Sequence, residues 1–202
     1  MNSLFSQYGF FGFCRLIRDV IFTKALFSFR ARLVRYPFYI RGKKYFSFGE
    51  SFTSGVGLRI DVFPGLSDFP SVTIGDRVQI NDYVHIAATN SVKIGNDVLI
   101  ASKVFITDHN HGRYSGDFQD DPRIPPASRN LVFAPVTIDD NVWIGELVSI
   151  LPGVIIGKGA IIGANSVVNS NIPEYSIAAG VPARVIKIYD FESSKWIRIN
   201  QR

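Results

Sequence analysis

Cysteine is almost absent from this 202-residue chain, with Cys14 its single thiol. That excludes an intrachain disulfide framework and a cysteine-based zinc cluster, and it fits a reducing compartment. Histidine is nearly as scarce, with only His85, His109 and His111, so any imidazole chemistry rests on these three. No apolar run is long enough to cross a bilayer. Arg15, Arg18 and Asp19 interrupt the first apolar stretch, which therefore lacks the separate regions of a secretory signal. The expectation is a cytoplasmic protein.

Acidic residues are missing from one part of the chain. Residues 1–45 hold nine Lys and Arg against one acid, Asp19, whereas residues 46–202 hold 13 against 16. The overall charge of +5 is thus a basic N-terminal segment on a mildly acidic body. A nucleic-acid-coating protein would spread its positive charge more widely, so no nucleic-acid partner is expected. With 47% hydrophobic residues, the chain is long and apolar enough for one folded domain.

What is abundant is repetition. From residue 72 a Val-x-Ile pattern recurs every six residues: Val72/Ile74, Val78/Ile80 and Val84/Ile86, then Val92/Ile94 through Val104/Ile106. It resumes at Val136/Ile138 and runs to Ser166/Val168, with looser hexads at Phe46/Phe48, Phe52/Ser54 and Leu58/Ile60. Gly, Asn or Asp often follows the second aliphatic residue, as at Gly75, Asn81, Gly95 and Gly145. Alternation alone would make ordinary strands. A strict period of six predicts short strands joined by tight corners, three to a triangular coil, with the residue after the aliphatic chosen to tolerate left-handed backbone. The expected fold class is an all-β solenoid of roughly four to five coils.

Two steps break the period. Ile86 to Ile94 is eight residues, a small corner bulge. Ile106 to Ile138 is 32, so residues 107–135 leave the coil as a long loop and return in phase. Loops of that length on a compact repeat usually carry function, and this one contains His109 and His111. Before the coil, residues 10–29 put Phe10, Phe13, Cys14, Ile17, Val20 and Ile21 on one helical face, with Arg15, Arg18 and Asp19 opposite. That segment could cap the open end of the solenoid or lie on an anionic membrane. The expected organisation is a basic amphipathic segment at 1–45, a coil at 46–188 and a short C-terminal helix with Trp196 at 189–202.

The repeat, the tail Ile172-Pro-Glu-Tyr-Ser-Ile-Ala-Ala-Gly-Val-Pro-Ala-Arg-Val-Ile186 and the run Asn141-Val-Trp-Ile-Gly145 resemble the hexapeptide-repeat acyltransferases. Three further segments carry the likeness toward enzymes that O-acetylate the lipopolysaccharide O-antigen. They are Gly55-Val-Gly-Leu-Arg59, Gln79-Ile-Asn-Asp-Tyr-Val-His-Ile86 and Asp108-His-Asn-His-Gly112. The resemblance implies a left-handed parallel β-helix and a homotrimer with sites in the grooves between subunits. It also implies acetyl-CoA as donor and a saccharide as acceptor.

Acetyl transfer to a hydroxyl needs a group that takes the hydroxyl proton during attack, and a neutral imidazole suits that task. His111 stands where the family keeps its catalytic histidine. By the same resemblance Asn81 contacts the acceptor hydroxyl, which an amide can both donate to and accept from. A turn-forming role for Asn81 stays open beside it. Asp82, Tyr83, His85 and His109 are secondary acceptor-binding candidates, and Tyr114 and Phe118 could stack on sugar rings. Trp143 is expected to face outward beside the pantetheine arm of the donor. Ala164 would offer a small coil edge, and Arg184 and Lys187 charge for the phosphates. Ser170 departs from the galactoside branch, which has a lysine there. No metal is expected.

Other readings remain at this level. One is a free sugar, an antibiotic or a nucleotide amino sugar as acceptor. Others are a γ-carbonic-anhydrase-like metal enzyme using the three histidines and a non-enzymatic scaffold.

Overall fold

A computed structural model describes residues 4–63 and 72–199. Successive short strands step around three parallel sheets in turn. Gln79–Ile80 lies in the first, His85–Ala88 in the second and Val92–Ile94 in the third, after which Leu99–Ile100 returns to the first. The chain is therefore a triangular parallel β-helix, as the six-residue period predicts. Each inward aliphatic stacks on its counterpart one coil away. Ile80, Ile100, Ile144 and Ile162 form one column, Ile60, Ile86, Ile106 and Ile150 a second, and Ile74, Ile94, Ile138 and Ile156 a third. All are buried, and each such side chain contributes about 2 kcal/mol through removal from water.

The corners work differently from the expectation. Left-handed backbone falls three residues after the inward aliphatic, at Arg77, Tyr83, Asp97, Lys103 and Leu147. The small residue directly after the aliphatic answers a packing demand instead. A Cβ on Gly95 would lie 2.8 Å from the carbonyl carbon of Asp139, and one on Gly145 2.6 Å from the nitrogen of Ala164. One corner is further tied by a ladder of carboxylates and amides. Asp76 accepts from the Glu50 N–H, Asn96 from Asp76, and Asp140 from Asn96, each within 2.8 Å.

The coil starts earlier than residue 46. Leu33–Val34 and Tyr39–Arg41 already pair in parallel with Thr53–Ser54 and Arg59–Val62. Before them run helix α1 (Leu4–Phe22), kinked at Gly9, and one π-turn (Thr23–Phe27). An aromatic plug closes this end of the solenoid: Phe27 packs on Phe38, Phe48 and Phe52 with ring centroids 5.1–6.3 Å apart. Helix α1 docks through its polar side. Asp19 is buried against Arg18, with Arg35 at 4.0 Å, and Thr23 Oγ1 donates to the Asp19 carbonyl and accepts from the Val34 N–H. The apolar stripe consequently points away from the coil, with Phe10 63%, Ile17 46% and Ile21 57% exposed.

The C-terminal helix expected over 189–202 does not form. Arg184–Asp190 and Lys195–Arg198 make an antiparallel hairpin added to the first sheet, and residues 200–202 lie outside the described part. The Asp190 carboxylate accepts from the Glu192 and Ser193 N–H groups and sets the turn. Trp196 then packs on Tyr189, 5.2 Å between centroids. Alternation through this tail suits a sheet edge, whereas a helix would expose Trp196 with nothing to cover it.

Candidate functional site

The loop that interrupts the coil is an antiparallel hairpin at its base. His109–His111 pairs with Leu131–Phe133, register His109 to Phe133 and His111 to Leu131. Its tip is folded on itself by Arg129, which donates to the Ile124 and Pro122 carbonyls and to the Tyr114 hydroxyl. Tyr114 in turn donates to the His111 carbonyl. Phe118 stands alone at the surface, 83% exposed.

Asp108, which was not among the sequence candidates, organises this hairpin. Fully buried, its carboxylate accepts from the N–H groups of Thr89, Asn90 and Ser91 and contacts His109 Nδ1 at 2.9 Å. Burial pushes its pKa up, but the bonds from His109 and the three N–H groups outweigh that and hold the carboxyl below its usual range. Residues 89–91 are the corner between Ile86 and Ile94 that the two extra residues of the eight-residue step enlarge. The two breaks in the repeat are thus one feature, a bulge of N–H donors wrapped around the carboxylate that starts the loop. An ionised carboxylate only accepts, so His109 donates to it through Nδ1–H. His111 lies beyond it, exposed, with the two rings 6.4 Å apart.

On the outer surface of the second sheet, Tyr39, Arg59, His85 and Phe105 form one column and Arg41, Asp61, Ala87 and Thr107 the next. Asp61 is buried beneath its neighbours. Arg59 Nε donates to Oδ2 at 2.6 Å, His85 Nε2 reaches Oδ2 at 3.1 Å, and Arg41 Nε lies 3.4 Å from Oδ1. Burial lowers the His85 pKa; the Asp61 bond raises it and the Arg59 charge lowers it, leaving it below the ordinary value. A chain of ring contacts joins this cluster to the hairpin. The Arg41 guanidinium lies 5.2 Å from the Phe63 ring, and Phe63 lies 6.4 Å from His109. Arg41, Asp61 and Phe63 escaped the sequence reading, and Arg59 entered it only as the end of a family-like segment, because this part of the chain has the loosest hexads. The one available signal was an arginine and an acid at alternating positions, Arg59 and Asp61, with a second arginine, Arg41, 18 residues upstream.

Asn81 sits elsewhere, at the corner between the first and second sheets. It lines a cleft of about 410 Å³ with Tyr8, Arg32, Arg35, Gln79 and Asp82. Its backbone is not left-handed, so turn formation does not account for the amide. Asp82 Oδ1 accepts from the Val56 N–H at 2.8 Å, which gives this side chain a structural task. Tyr83 is exposed and left-handed, its ring lying over Gly57, where a Cβ would come within 2.4 Å. Neither histidine of the hairpin borders this cleft.

The donor candidates share the first sheet. Trp143, half exposed, is in register with Leu99 on one side and Ile161 on the other; Ile161 pairs with Ile177, and Ile177 with Lys187. Trp143 and Lys187 therefore stand in one outward row, about 14 Å apart at the usual strand spacing. Lys187 also borders a cleft of about 330 Å³ with Arg198. Ala164 is exposed at the next corner, and Arg184 donates to the Ala183 carbonyl. Among the described residues no group of three His, Cys, Asp or Glu side chains is placed to hold a metal ion.

Residues 135–170 match the family model described as bacterial transferase hexapeptide (six repeats). The chain is 52% identical over 194 residues to WbbJ of Escherichia coli K12, assigned as a lipopolysaccharide biosynthesis O-acetyl transferase, with 96% of each chain covered. It belongs to the hexapeptide-repeat acyltransferases. Another relative is a dTDP-4-amino-4,6-dideoxy-D-glucose acyltransferase of Escherichia coli, 33% identical over 71% of this chain and 78% of that one. Among solved structures, the acetyltransferase VCA0836 of Vibrio cholerae in complex with acetyl coenzyme A is 25% identical, with a TM-score of 0.53 and coverage of 80% and 69%. The N-acyltransferase AntD of Bacillus cereus shares the fold, with a TM-score of 0.66, 23% identity and coverage of 81% and 84%.

Proposed function

We propose that this protein moves an acetyl group from acetyl-CoA to a sugar hydroxyl of a bacterial surface polysaccharide or its precursor. The observation that carries this reading is the near full-length identity to WbbJ. The coil is then left-handed and the working unit a homotrimer, with Asn81 of one subunit brought to His111 of its neighbour. Residues 1–45 hold the enzyme at the inner face of the cytoplasmic membrane. The exposed apolar stripe of α1 supports this, since Phe27 and Phe38 further along the same segment close the coil and leave α1 outside it.

His111 accepts the proton of the acceptor hydroxyl as its oxygen attacks the thioester carbonyl carbon. The tetrahedral intermediate expels the coenzyme A thiolate, which takes that proton from the imidazolium, leaving an acetyl ester and a free thiol. His109, fixed by Asp108, and His85 position the acceptor together with Asn81, Asp82 and Tyr83. Trp143 and Ala164 flank the donor arm, and Arg184 and Lys187 meet its phosphates. His111→Ala should lower turnover by about 10²–10⁴-fold with acetyl-CoA affinity unchanged, measured by steady-state kinetics and calorimetry. Near-normal turnover would remove His111 from the mechanism. NMR of surface polysaccharide with and without the protein identifies the acetylated position.

A second reading follows from the dTDP-amino-sugar acyltransferase among the relatives: N-acetylation of a nucleotide amino sugar. Assay of both acceptor types with the same preparation separates the two.

A further inference from the structure

The cluster on the second sheet holds more positive charge than its structural role requires. Asp61 anchors two guanidinium groups, and both approach it through Nε. Arg59 makes no other hydrogen bond among the described residues. Arg41 is held loosely: besides Asp61 at 3.4 Å, its Nε and Nη2 are each 3.4 Å from the Tyr39 hydroxyl. Asp61 Oδ1, though buried, accepts no hydrogen bond among the described residues. Tyr39, Arg41 and Arg59 border an open cleft of about 360 Å³. The third group on Asp61, His85, is kept toward its neutral form by burial, so it does not add to the count. Among the described residues, two guanidiniums over one carboxylate leave one unmatched positive charge at the surface.

We propose that Arg41 and Arg59 form a cradle for a phosphate group of the acceptor, a glycosyl phosphate or diphosphate, which sets the acceptor hydroxyl at the histidine hairpin. The free edges of two guanidiniums match tetrahedral phosphate oxygens better than a single planar carboxylate. The Tyr39 hydroxyl adds a third donor, and Phe63 offers a ring face between the cradle and His109 for the sugar. This assignment rests on acetyl transfer to a sugar only for what the phosphate is attached to. The cradle itself is a binding site that stands or falls alone.

The experiment is an NMR titration of the full chain, following the imidazole signals of His85, which shares Asp61 with both arginines. Inorganic pyrophosphate and a hexose 1-phosphate should shift these signals saturably. The neutral hexose and galacturonate should bind at least about tenfold more weakly. Arg41→Gln, whose contacts are the loosest, should weaken both phosphate probes about tenfold or more. It should raise KM for the hexose 1-phosphate with kcat little changed. Arg59→Gln should do the same where it folds, and Lys93→Gln on the third sheet should change nothing.

Absence of a saturable shift, an Arg41→Gln protein that binds pyrophosphate as the parent does, or equal binding of galacturonate each overturns the proposal. A chain that acetylates no sugar but still shows the arginine-dependent pyrophosphate titration keeps the cradle and refutes the acetyl-transfer reading.

Discussion

Asp108 shows how much of the candidate site depends on one buried carboxylate. Each of its oxygens accepts N–H donors from the 89–91 bulge, and one also holds His109. Asp108→Asn puts an amide N–H₂ against those donors, so destabilisation of about 3 kcal/mol is expected, read by chemical denaturation near neutral pH. Because the folded pKa lies below the ordinary aspartate value, the carboxylate's contribution is complete above that ordinary value. It is lost as pH falls through the lower folded value, so the Asn variant should show a shallower acid limb. Loss of acetyl transfer should accompany it, as the hairpin loses its anchor. An unchanged stability and acid limb would show that the carboxylate does not hold the bulge. His109, His111 and Asn81 were legible as residues from their place in the repeat and the family resemblance. Asp108 was not, because nothing in a one-dimensional pattern shows that the donors of one phase break meet the carboxylate of the other. Arg41 and Arg59 were hidden for a related reason: only stacking of coils brings residues 41, 59, 61 and 85 together.

At the scale of elements, strand periodicity read correctly, whereas helix amphipathicity left open which face would be buried. The coil is over-determined, since every hexad repeats the same inward columns and a register slip would expose all of them at once. Helix α1 is a single amphipathic element with two possible faces, and the buried one is the polar one. Asp19 and Thr23 bond to Arg18 and Val34, and these bonds hold the helix by that side. The C-terminal tail shows the converse failure, where alternation ending at Asp190 indicated a hairpin and a lone Trp196 suggested a helix. The outward stripe of α1 makes a specific expectation. Phe10→Ser with Ile21→Ser should reduce co-sedimentation with vesicles containing anionic lipid by about tenfold, given the loss of two apolar anchors. Activity on a soluble acceptor should persist. Vesicle binding equal to that of the parent would assign the stripe to contacts between protein chains instead.

The whole molecule poses a problem that a single chain does not solve. His111 projects from the loop after the second sheet, whereas Asn81 occupies a cleft beside helix α1 that the hairpin histidines do not border. The donor row from Trp143 to Lys187 runs along the first sheet, on the same side of the triangle as Gln79. A closed three-fold assembly places one sheet of each subunit against a different sheet of the next. It can therefore set His111 of one chain over Asn81 and Trp143 of its neighbour. The arrangement makes complementation a direct test. In the proposed homotrimer, the His111→Ala and Asn81→Ala enzymes should each be nearly inactive. Unfolded together at equal amounts and refolded, they form mixed trimers in which about a quarter of the sites draw an intact histidine from one parent and an intact asparagine from the other. Activity should return to about that fraction of the unmutated enzyme. If both residues serve a site within one chain, no mixed trimer contains an intact site and activity stays at the level of the parents.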